Sequence, residues 1–255
     1  FDFDNDGDMD VFVTDMHSDM FQQINPAREK LKARVDQSEM FLMSNGMSIF
    51  GNAFYENLGQ GEFREISDRL MVENYWPWGP SSGDINADGF EDLFITASMN
   101  YPFRYGVNSL LLNNFGQDFV DSEFILGVEP RANWETITPW FEVDCSGEDR
   151  DHPDCLNGDL IGDNEIWASL GSRSSVMFDL DNDGDLDIVT NDFNSKPMVL
   201  INNLESKNEA INFIKVKLEG TRSNRDGLGA FVKIYVGSQI YTKIHDGKSG
   251  YLSQS

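Results

Sequence analysis

Three short acidic segments constrain the fold of this chain more than any other feature. They read DFDNDGDMDVFVT at residues 2–14, DINADGFEDLFIT at residues 84–96 and DLDNDGDLDIVT at residues 179–190. Carboxylates at every second position repel one another, so each segment is either a solvated acidic loop or a loop that binds a cation. Three copies, each with a glycine at the same place, favour the cation-binding loop.

The spacing of these segments is typical of a calcium-binding loop. Oxygen ligands at positions 1, 3 and 5 converge when the chain coils round a point, and glycine at position 6 permits the sharp turn. Position 7 offers its carbonyl, and aspartate at position 9 closes the shell. Oxygen-only ligands of this number suit Ca²⁺ better than Mg²⁺ or Zn²⁺. We therefore predict about three Ca²⁺ sites. The predicted metal ligands are Asp2, Asp4, Asp6, Asp8, Asp10, Asp84, Asn86, Asp88, Phe90, Asp92, Asp179, Asp181, Asp183, Asp185 and Asp187.

The flanks of the acidic loops argue against an EF-hand. An EF-hand needs a glutamate at position 12 and a helix on each side. Here position 12 is Val13, Ile95 or Thr190, and strand-forming residues follow every loop. The sequence thus predicts EF-like loops that lie on β-hairpins.

A second phrase alternates with the acidic loops along the chain. Apolar residues lead to an asparagine, which is followed by a glycine turn and a phenylalanine in the better copies; we align Asn57, Asn114 and Asn203. Removing two insertions, near residues 15–50 and 126–170, leaves a repeat of about 50–57 residues, which is the size of a propeller blade. The first insertion contains NPAREKLKARV at residues 25–35, for which we predict a short helix.

The pattern of apolar and polar residues changes from Glu209 onward. The stretches FIKVKL, AFVKIYV and QIYTKI alternate apolar with polar residues, as half-exposed antiparallel strands do. We therefore predict blades over residues 1–205 and a small antiparallel β module over residues 206–255. The chain opens directly into its first acidic loop, and we expect it to be part of a longer polypeptide.

Two cysteines, Cys145 and Cys155, lie in a polar stretch of the second insertion. A free pair in the cytosol is one interpretation, and a metal site with His152 is another, although its spacing fits no standard zinc pattern. A local disulfide fits better if the protein is exported. Such a short ring would contribute on the order of 3 kcal/mol at most. We predict that Cys145 and Cys155 are joined.

The charge balance excludes several classes of partner. The chain of 255 residues carries 44 acidic against 19 basic side chains, a net charge of −25. A surface this negative repels nucleic acid and anionic lipid, so neither is an expected partner. No run of 18 apolar residues occurs, and we expect no membrane insertion.

The loops and the asparagine phrases together resemble FG-GAP/VCBS repeats, the blades of integrin-α-like β-propellers. Residues 220–255 resemble the ASPIC/UnbV domain, with matches at Ser223, Asn224, Arg225, Gly229, Ala230 and the final GYLSQS. This order of domains is similar to that of the cartilage acidic protein family. The resemblance implies an all-β fold of calcium-loaded propeller blades with a small C-terminal β module, secreted or at the cell surface. The two insertions, Asn86 and Ala87 depart from the family pattern.

Catalytic signatures are missing from the sequence. His17, His152 and His245 fall in no metalloprotease or triad pattern, and no nucleophile–base pair is visible. We therefore expect no enzyme but a binding, adhesion or assembly module, with a protein or glycan partner at the cell surface. A carbohydrate-active or glycan-binding propeller is one alternative, because aromatic residues such as Trp76 and Trp78 can stack on sugars, although packing between blades explains them better. A structural subunit of an extracellular assembly is the other alternative.

Overall fold

The protein is all-β. The structure, a computed structural model, describes residues 1–15, 51–74, 76–98, 105–131, 134–193, 195–204, 206, 211–248 and 251. Its strands are β1 Val11–Val13, β2 Ala53–Asn57, β3 Phe63–Glu65, β4 Pro77–Gly83, β5 Asp92–Ala97, β6 Ser109–Asn113, β7 Phe119–Asp121, β8 Ile137–Asp144, β9 Asp163–Ser169, β10 Ser172–Phe178, β11 Asp187–Asp192, β12 Val199–Leu200, β13 Ala230–Val236 and β14 Gln239–His245. Two short helices, α1 Ser67–Leu70 and α2 Pro153–Asn157, complete the described elements.

Antiparallel sheets of consecutive strands carry the acidic loops. The first sheet has the order β1-β2-β3, the second β4-β5-β6-β7 and the third β10-β11-β12, while β8-β9 and β13-β14 form hairpins. Residues 84–91 join β4 to β5, residues 179–186 join β10 to β11, and residues 2–10 lead into β1. The prediction that a strand follows each acidic loop is therefore confirmed. The second and third loops lie on β-hairpins as predicted, whereas the first loop only leads into β1.

Two apolar clusters hold consecutive sheets together. In the first, the Phe3 ring lies 5.1 Å from the Phe54 ring of β2 and 5.3 Å from the Phe119 ring of β7. In the second, Phe94 of β5 packs with Ile188 of β11. Burying aromatic and branched side chains of this size stabilises each contact by about 1.5–3 kcal/mol per side chain. Each cluster thus joins one sheet to the next along the chain.

The second insertion forms a hairpin of β8 and β9, and a disulfide closes a small ring within the connection between these strands. The bond between Cys145 and Cys155 confirms the predicted pair and excludes a Cys/His metal site, because neither thiol is free. Helix α2 contains Cys155 and begins within this ring, and the His152 imidazole caps it by accepting a hydrogen bond from the Asp154 amide at 3.3 Å. The helix predicted over residues 25–35 lies outside the described residues.

Reduction of the disulfide is expected to loosen only the tip of the β8–β9 hairpin. The ring contributes on the order of 3 kcal/mol at most, and the three sheets bury their own clusters without it. Hydrogen exchange should therefore rise at residues 145–162 after reduction and stay unchanged in β4 to β7. A general rise of exchange in the sheets would contradict this expectation.

The strand predicted for FIKVKL, residues 213–218, is wrong, whereas those predicted for AFVKIYV and QIYTKI are confirmed as β13 and β14. Residues 211–220 carry no regular secondary structure and join no sheet of the described chain. Alternation produces a strand only where a neighbouring strand supplies a hydrogen-bond ladder. Here Phe213 and Lys215 contact the third acidic loop instead. The domain boundary near residue 206 stays a prediction.

Candidate metal-binding loops

The three acidic loops share one backbone conformation. The fourth position is left-handed in every copy, with φ of 58°, 58° and 64° at Asn5, Ala87 and Asn182. The sixth position is also left-handed, with φ of 97°, 92° and 103° at Gly7, Gly89 and Gly184. Asparagine and glycine tolerate this region, whereas alanine is strained there. The second loop therefore reaches the same shape at a conformational cost that the other two avoid.

Substitution of Ala87 is expected to stabilise the protein. Ala87→Asn and Ala87→Gly should each raise the free energy of unfolding by about 0.5–1 kcal/mol, because both residues adopt positive φ more readily. Thermal melting without added metal measures the gain. Ala97→Gly, in the regular backbone of β5, is the control and should lower stability. A loss of stability in Ala87→Asn would contradict the expectation.

The aspartate at position 9 ties each loop to its own sheet. Asp92 accepts hydrogen bonds from the amides of Ile85 at 2.8 Å and Asn113 at 2.7 Å. Equivalent bonds, all of 2.8 Å, run to Asp10 from Phe3 and Asn57 and to Asp187 from Leu180 and Asn202. Each carboxylate oxygen keeps a lone pair for a cation, since it has two. The predicted ligand role of position 9 thus stays open beside this structural one.

The asparagine that completes each loop is one that the sequence alignment partly missed. The Nδ2 groups of Asn57, Asn113 and Asn202 donate to the position 8 carbonyls of Met9, Glu91 and Leu186 at 3.0, 3.1 and 3.3 Å. The alignment on Asn114 and Asn203 is therefore wrong by one residue. It followed the spacing from asparagine to glycine, which varies between copies. Aligning the ends of the apolar strands finds the right residues, because β2 ends at Asn57 and β6 ends at Asn113.

These asparagines also link each loop to the next repeat. Asn113 Nδ2 donates to the Phe3 carbonyl of the first loop, and Asn202 Nδ2 donates to the Ile85 carbonyl of the second, both at 2.8 Å. A further bond joins the first two loops directly, from Asn5 Nδ2 to the Gly89 carbonyl at 2.9 Å. The loops therefore lie side by side in chain order.

Carboxylates converge in the first and third loops. Ligand atoms of Asp2, Asp4 and Asp10 lie within 4.8 Å of one another, as do those of Asp179, Asp181 and Asp183. The other predicted carboxylate ligands of these two loops, Asp6, Asp8, Asp185 and Asp187, are not in those groups. In the second loop an amide stands at position 3, and Asn86 Nδ2 donates to Asp88 Oδ2 at 3.0 Å. No comparable triad of carboxylates forms there among the described residues.

The first loop passes a test of fit for a divalent cation. Asp2 is buried, and its Oδ1 atom has no hydrogen-bond partner in the described structure. A buried carboxylate oxygen without a partner is costly, and a cation among three oxygen donors would satisfy it. Asp2, Asp4 and Asp10 would hold such an ion.

Comparison with known families identifies both regions. Residues 2–95 match the FG-GAP-like repeat family, and residues 220–255 match the ASPIC and UnbV family. The chain combines FG-GAP-like repeats with an ASPIC/UnbV domain. No curated protein matches it, so similarity to the cartilage acidic protein family stays a prediction. Among the described residues, no helix has the length and apolar character needed to cross a membrane.

Burial raises the pKa of several carboxyls in the FG-GAP loops. The pKa is about 6 at Asp2 and at Asp10 and about 7 at Asp92, and desolvation is the largest cause in each case. Desolvation also raises the pKa of Asp4 and Asp84. Without a cation, Asp2, Asp10 and Asp92 therefore hold their protons to about pH 6–7. Binding a divalent ion would favour their charged forms and release protons.

The metal-free protein is expected to lose stability as the pH rises. The pKa values of Asp2, Asp10 and Asp92 lie above the ordinary value of 3.8 in the folded state. Their contribution is therefore fully present below about pH 4 and is lost as the pH rises through about 6 to 7. After removal of calcium, the free energy of unfolding should fall between pH 5 and pH 8 by on the order of 1–4 kcal/mol.

The control for this pH dependence is Asp92→Asn, which cannot titrate. Its slope between pH 5 and pH 8 should be shallower than that of the wild type, as measured by denaturant unfolding at each pH. A free energy of unfolding that rises with pH over this range in the metal-free protein would contradict the raised pKa values of these carboxyls.

Proposed function

We propose that this chain is part of an extracellular or cell-surface, calcium-binding propeller that acts as a non-catalytic binding, adhesion or assembly module. The observation that carries the proposal is the carboxylate triad of the first loop with its orphaned Asp2 Oδ1 atom, on a backbone that recurs in all three loops. FG-GAP-like repeats are typical of extracellular or cell-surface proteins, and the disulfide agrees with an oxidising compartment.

The acidic side chains of the FG-GAP loops support a structural use of the ion. Both oxygens of each position 9 carboxylate already accept backbone hydrogen bonds, so the ion would stabilise the link between the loop and its sheet. When bound, calcium would supply charge compensation for the remaining carboxylates. This arrangement favours a scaffold over a reaction centre.

The β8–β9 hairpin is the surface that fits a partner best. It exposes large apolar side chains at Ile137, Leu156, Ile161 and Trp167, with Ile161 84% exposed. Trp134, just before β8, is 77% exposed. Several exposed large apolar groups on one element are typical of an interaction site. We propose that a protein or glycan at the cell surface, or another subunit of an extracellular assembly, binds here.

The calcium part of the proposal is tested by titration calorimetry. The wild type should bind calcium at about three sites and Mg²⁺ more weakly, because Mg²⁺ gives up its water reluctantly. Asp183→Ala should weaken one site and spare the others. A wild type that takes up no calcium would overturn this part.

The partner part is tested by replacing residues 142–165 with Asn-Gly. Phe141 pairs with Ile166, so this two-residue turn closes a shortened hairpin in the same register. The variant should lose binding to cell surfaces or glycans while its calcium-dependent melting survives. Glu142→Gln, which keeps the hairpin, is the control. Cleavage of a polysaccharide that is lost on mutating a carboxylate outside the three loops would instead establish an enzyme.

A further inference from the structure

The C-terminal part of the chain lies directly on the three acidic loops. We name residues 211–248 the C-terminal cap. A β-carbon on Gly7 would lie 3.2 Å from the Ile240 side chain, and one on Gly89 would lie 3.1 Å from the Tyr241 ring. On Gly184 it would overlap the Phe213 ring. The position 6 glycine of every loop is therefore covered by one large side chain of the cap. A β-carbon would be tight at Gly7 and Gly89 and would overlap the cover at Gly184.

Each loop also receives one lysine of the cap. Lys233 Nζ donates to the Gly7 carbonyl. Lys243 Nζ lies 2.7 Å from Glu91 Oε2, and Lys215 Nζ lies 2.6 Å from Asp179 Oδ2. Each acidic loop is thus contacted by one large side chain and one lysine of the cap. The same pair of contacts occurs three times on a strongly acidic surface. Such repetition indicates that the cap and the loops form one complementary interface.

The third lysine differs from the other two in what it contacts. The Gly7 carbonyl and Glu91 lie outside the predicted ligand sets, so Lys233 and Lys243 leave the ligands of their loops available. Lys215 instead pairs with Asp179, the position 1 ligand, and also donates to Asn182 Oδ1 at 3.3 Å. Lys215 therefore neutralises a carboxylate that the ion would need.

We propose that the C-terminal cap is an intramolecular partner of the FG-GAP loops, and that the Lys215 ammonium serves the third loop as a tethered cation that calcium must displace. The inference rests on the proposed calcium function. Calcium and the cap are compatible at the first two loops and compete at the third. The three loops therefore differ in their affinity for calcium, and calcium binding at the third loop releases Lys215.

Phe213 anchors the segment that carries Lys215 to the third loop, but no β-ladder of the described structure holds that segment. Residues 211–220 join no sheet of the described structure, and a groove of about 500 Å³ separates residues 214–218 from the β13–β14 hairpin. Release of Lys215 therefore breaks no hydrogen-bond ladder. Lys233 and Lys243 belong to the β13–β14 hairpin, so their contacts do not depend on that of Lys215.

Cleavage by a lysine-specific protease tests the docking, with Lys217 as an internal control on the same segment. In chelator, wild-type cleavage after Lys215 should be about twofold to fivefold slower than after Lys217, the range expected for an exposed ion pair. Asp179→Asn should remove the difference without calcium. Equal initial rates in the wild type, measured by mass spectrometry, would overturn the inference whatever calcium does.

Calcium supplies the second arm of the test. It should bring the rate after Lys215 up to that after Lys217, and Lys215→Met should bind calcium about twofold to fivefold tighter at its weakest site than Lys217→Met does. If calcium binds but does not change cleavage after Lys215, and Lys215→Met and Lys217→Met bind calcium equally tightly, only the competition between Lys215 and calcium is overturned. No binding in any variant would overturn the proposed function and the competition together, while the chelator arm still decides whether the cap docks.

Discussion

Removing calcium is expected to lower the free energy of unfolding by about 8 kcal/mol. A ligand at 100 times its dissociation constant stabilises the folded state by about 2.7 kcal/mol per site, and three loops would be filled. Without the ion, carboxyl groups of the first and third loops lie within 4.8 Å of one another, and each must hold a proton, pair with Lys215 or repel its neighbours. The melting temperature in chelator should therefore fall markedly, and added calcium should restore it more fully than magnesium.

The Asp4→Ala variant is the control for this calcium effect. Asp4 belongs to the triad of the first loop, and alanine there removes the ligand oxygens that an amide would partly keep. The calcium-dependent gain in stability should fall by about one third, which corresponds to one site out of three. A melting curve that is the same with and without chelator would rule out calcium as a stabilising ligand.

Arg131→Met is expected to cost about 3–5 kcal/mol, because it leaves a buried charge uncompensated. The Arg131 side chain is 6% exposed and pairs with the buried Asp192 carboxylate at the end of β11. Its other nitrogens donate to Ser172 Oγ and to the Tyr105 hydroxyl, each at 2.8 Å. The network joins the segment before the β8–β9 hairpin to the third sheet.

Arg64→Met provides a matched control for the buried pair. Arg64 pairs with Glu56 across the first sheet, but its side chain is 59% exposed. Loss of that pair should change stability by no more than about 1 kcal/mol. In the double variant Arg131→Met/Asp192→Leu, much of the lost stability should return, since neither charge stays buried alone. Denaturant unfolding of the wild type and these three variants measures the losses of stability. Similar losses for Arg131→Met and Arg64→Met would contradict a special contribution of the buried network.

The acidic loops were predictable because their signal is local. A loop of nine residues with glycine at position 6 specifies its own backbone, and three copies remove the ambiguity of one. The strands after the loops and the Cys145–Cys155 bond follow from short stretches in the same way. Side chains at positions 3 and 4 of the second loop, Asn86 and Ala87, depart from the pattern without changing the conformation, because the Gly89 turn and the Asp92 bonds suffice.

The parts that sequence did not predict depend on contacts between distant residues. The alternation of FIKVKL is as regular as that of β13, and only the missing ladder partner distinguishes the two. Likewise, nothing near Tyr241 in sequence indicates that its ring covers Gly89. The Arg131 network also combines residues from separate strands and connections. Such contacts are set by how the repeats and the cap pack, which local patterns do not encode.

The asparagine links between repeats bear on how a chain of this kind can lengthen. Asn113 and Asn202 each serve their own loop and the loop one repeat earlier, so the donor and the acceptor of every link are one repeat apart. A duplicated repeat brings both halves of the link with it, and the new copy joins its neighbours without any further substitution. An incomplete duplication would strand a buried carbonyl and be penalised. Adding a whole repeat therefore preserves the asparagine hydrogen bonds between neighbouring repeats, whereas adding part of a repeat does not.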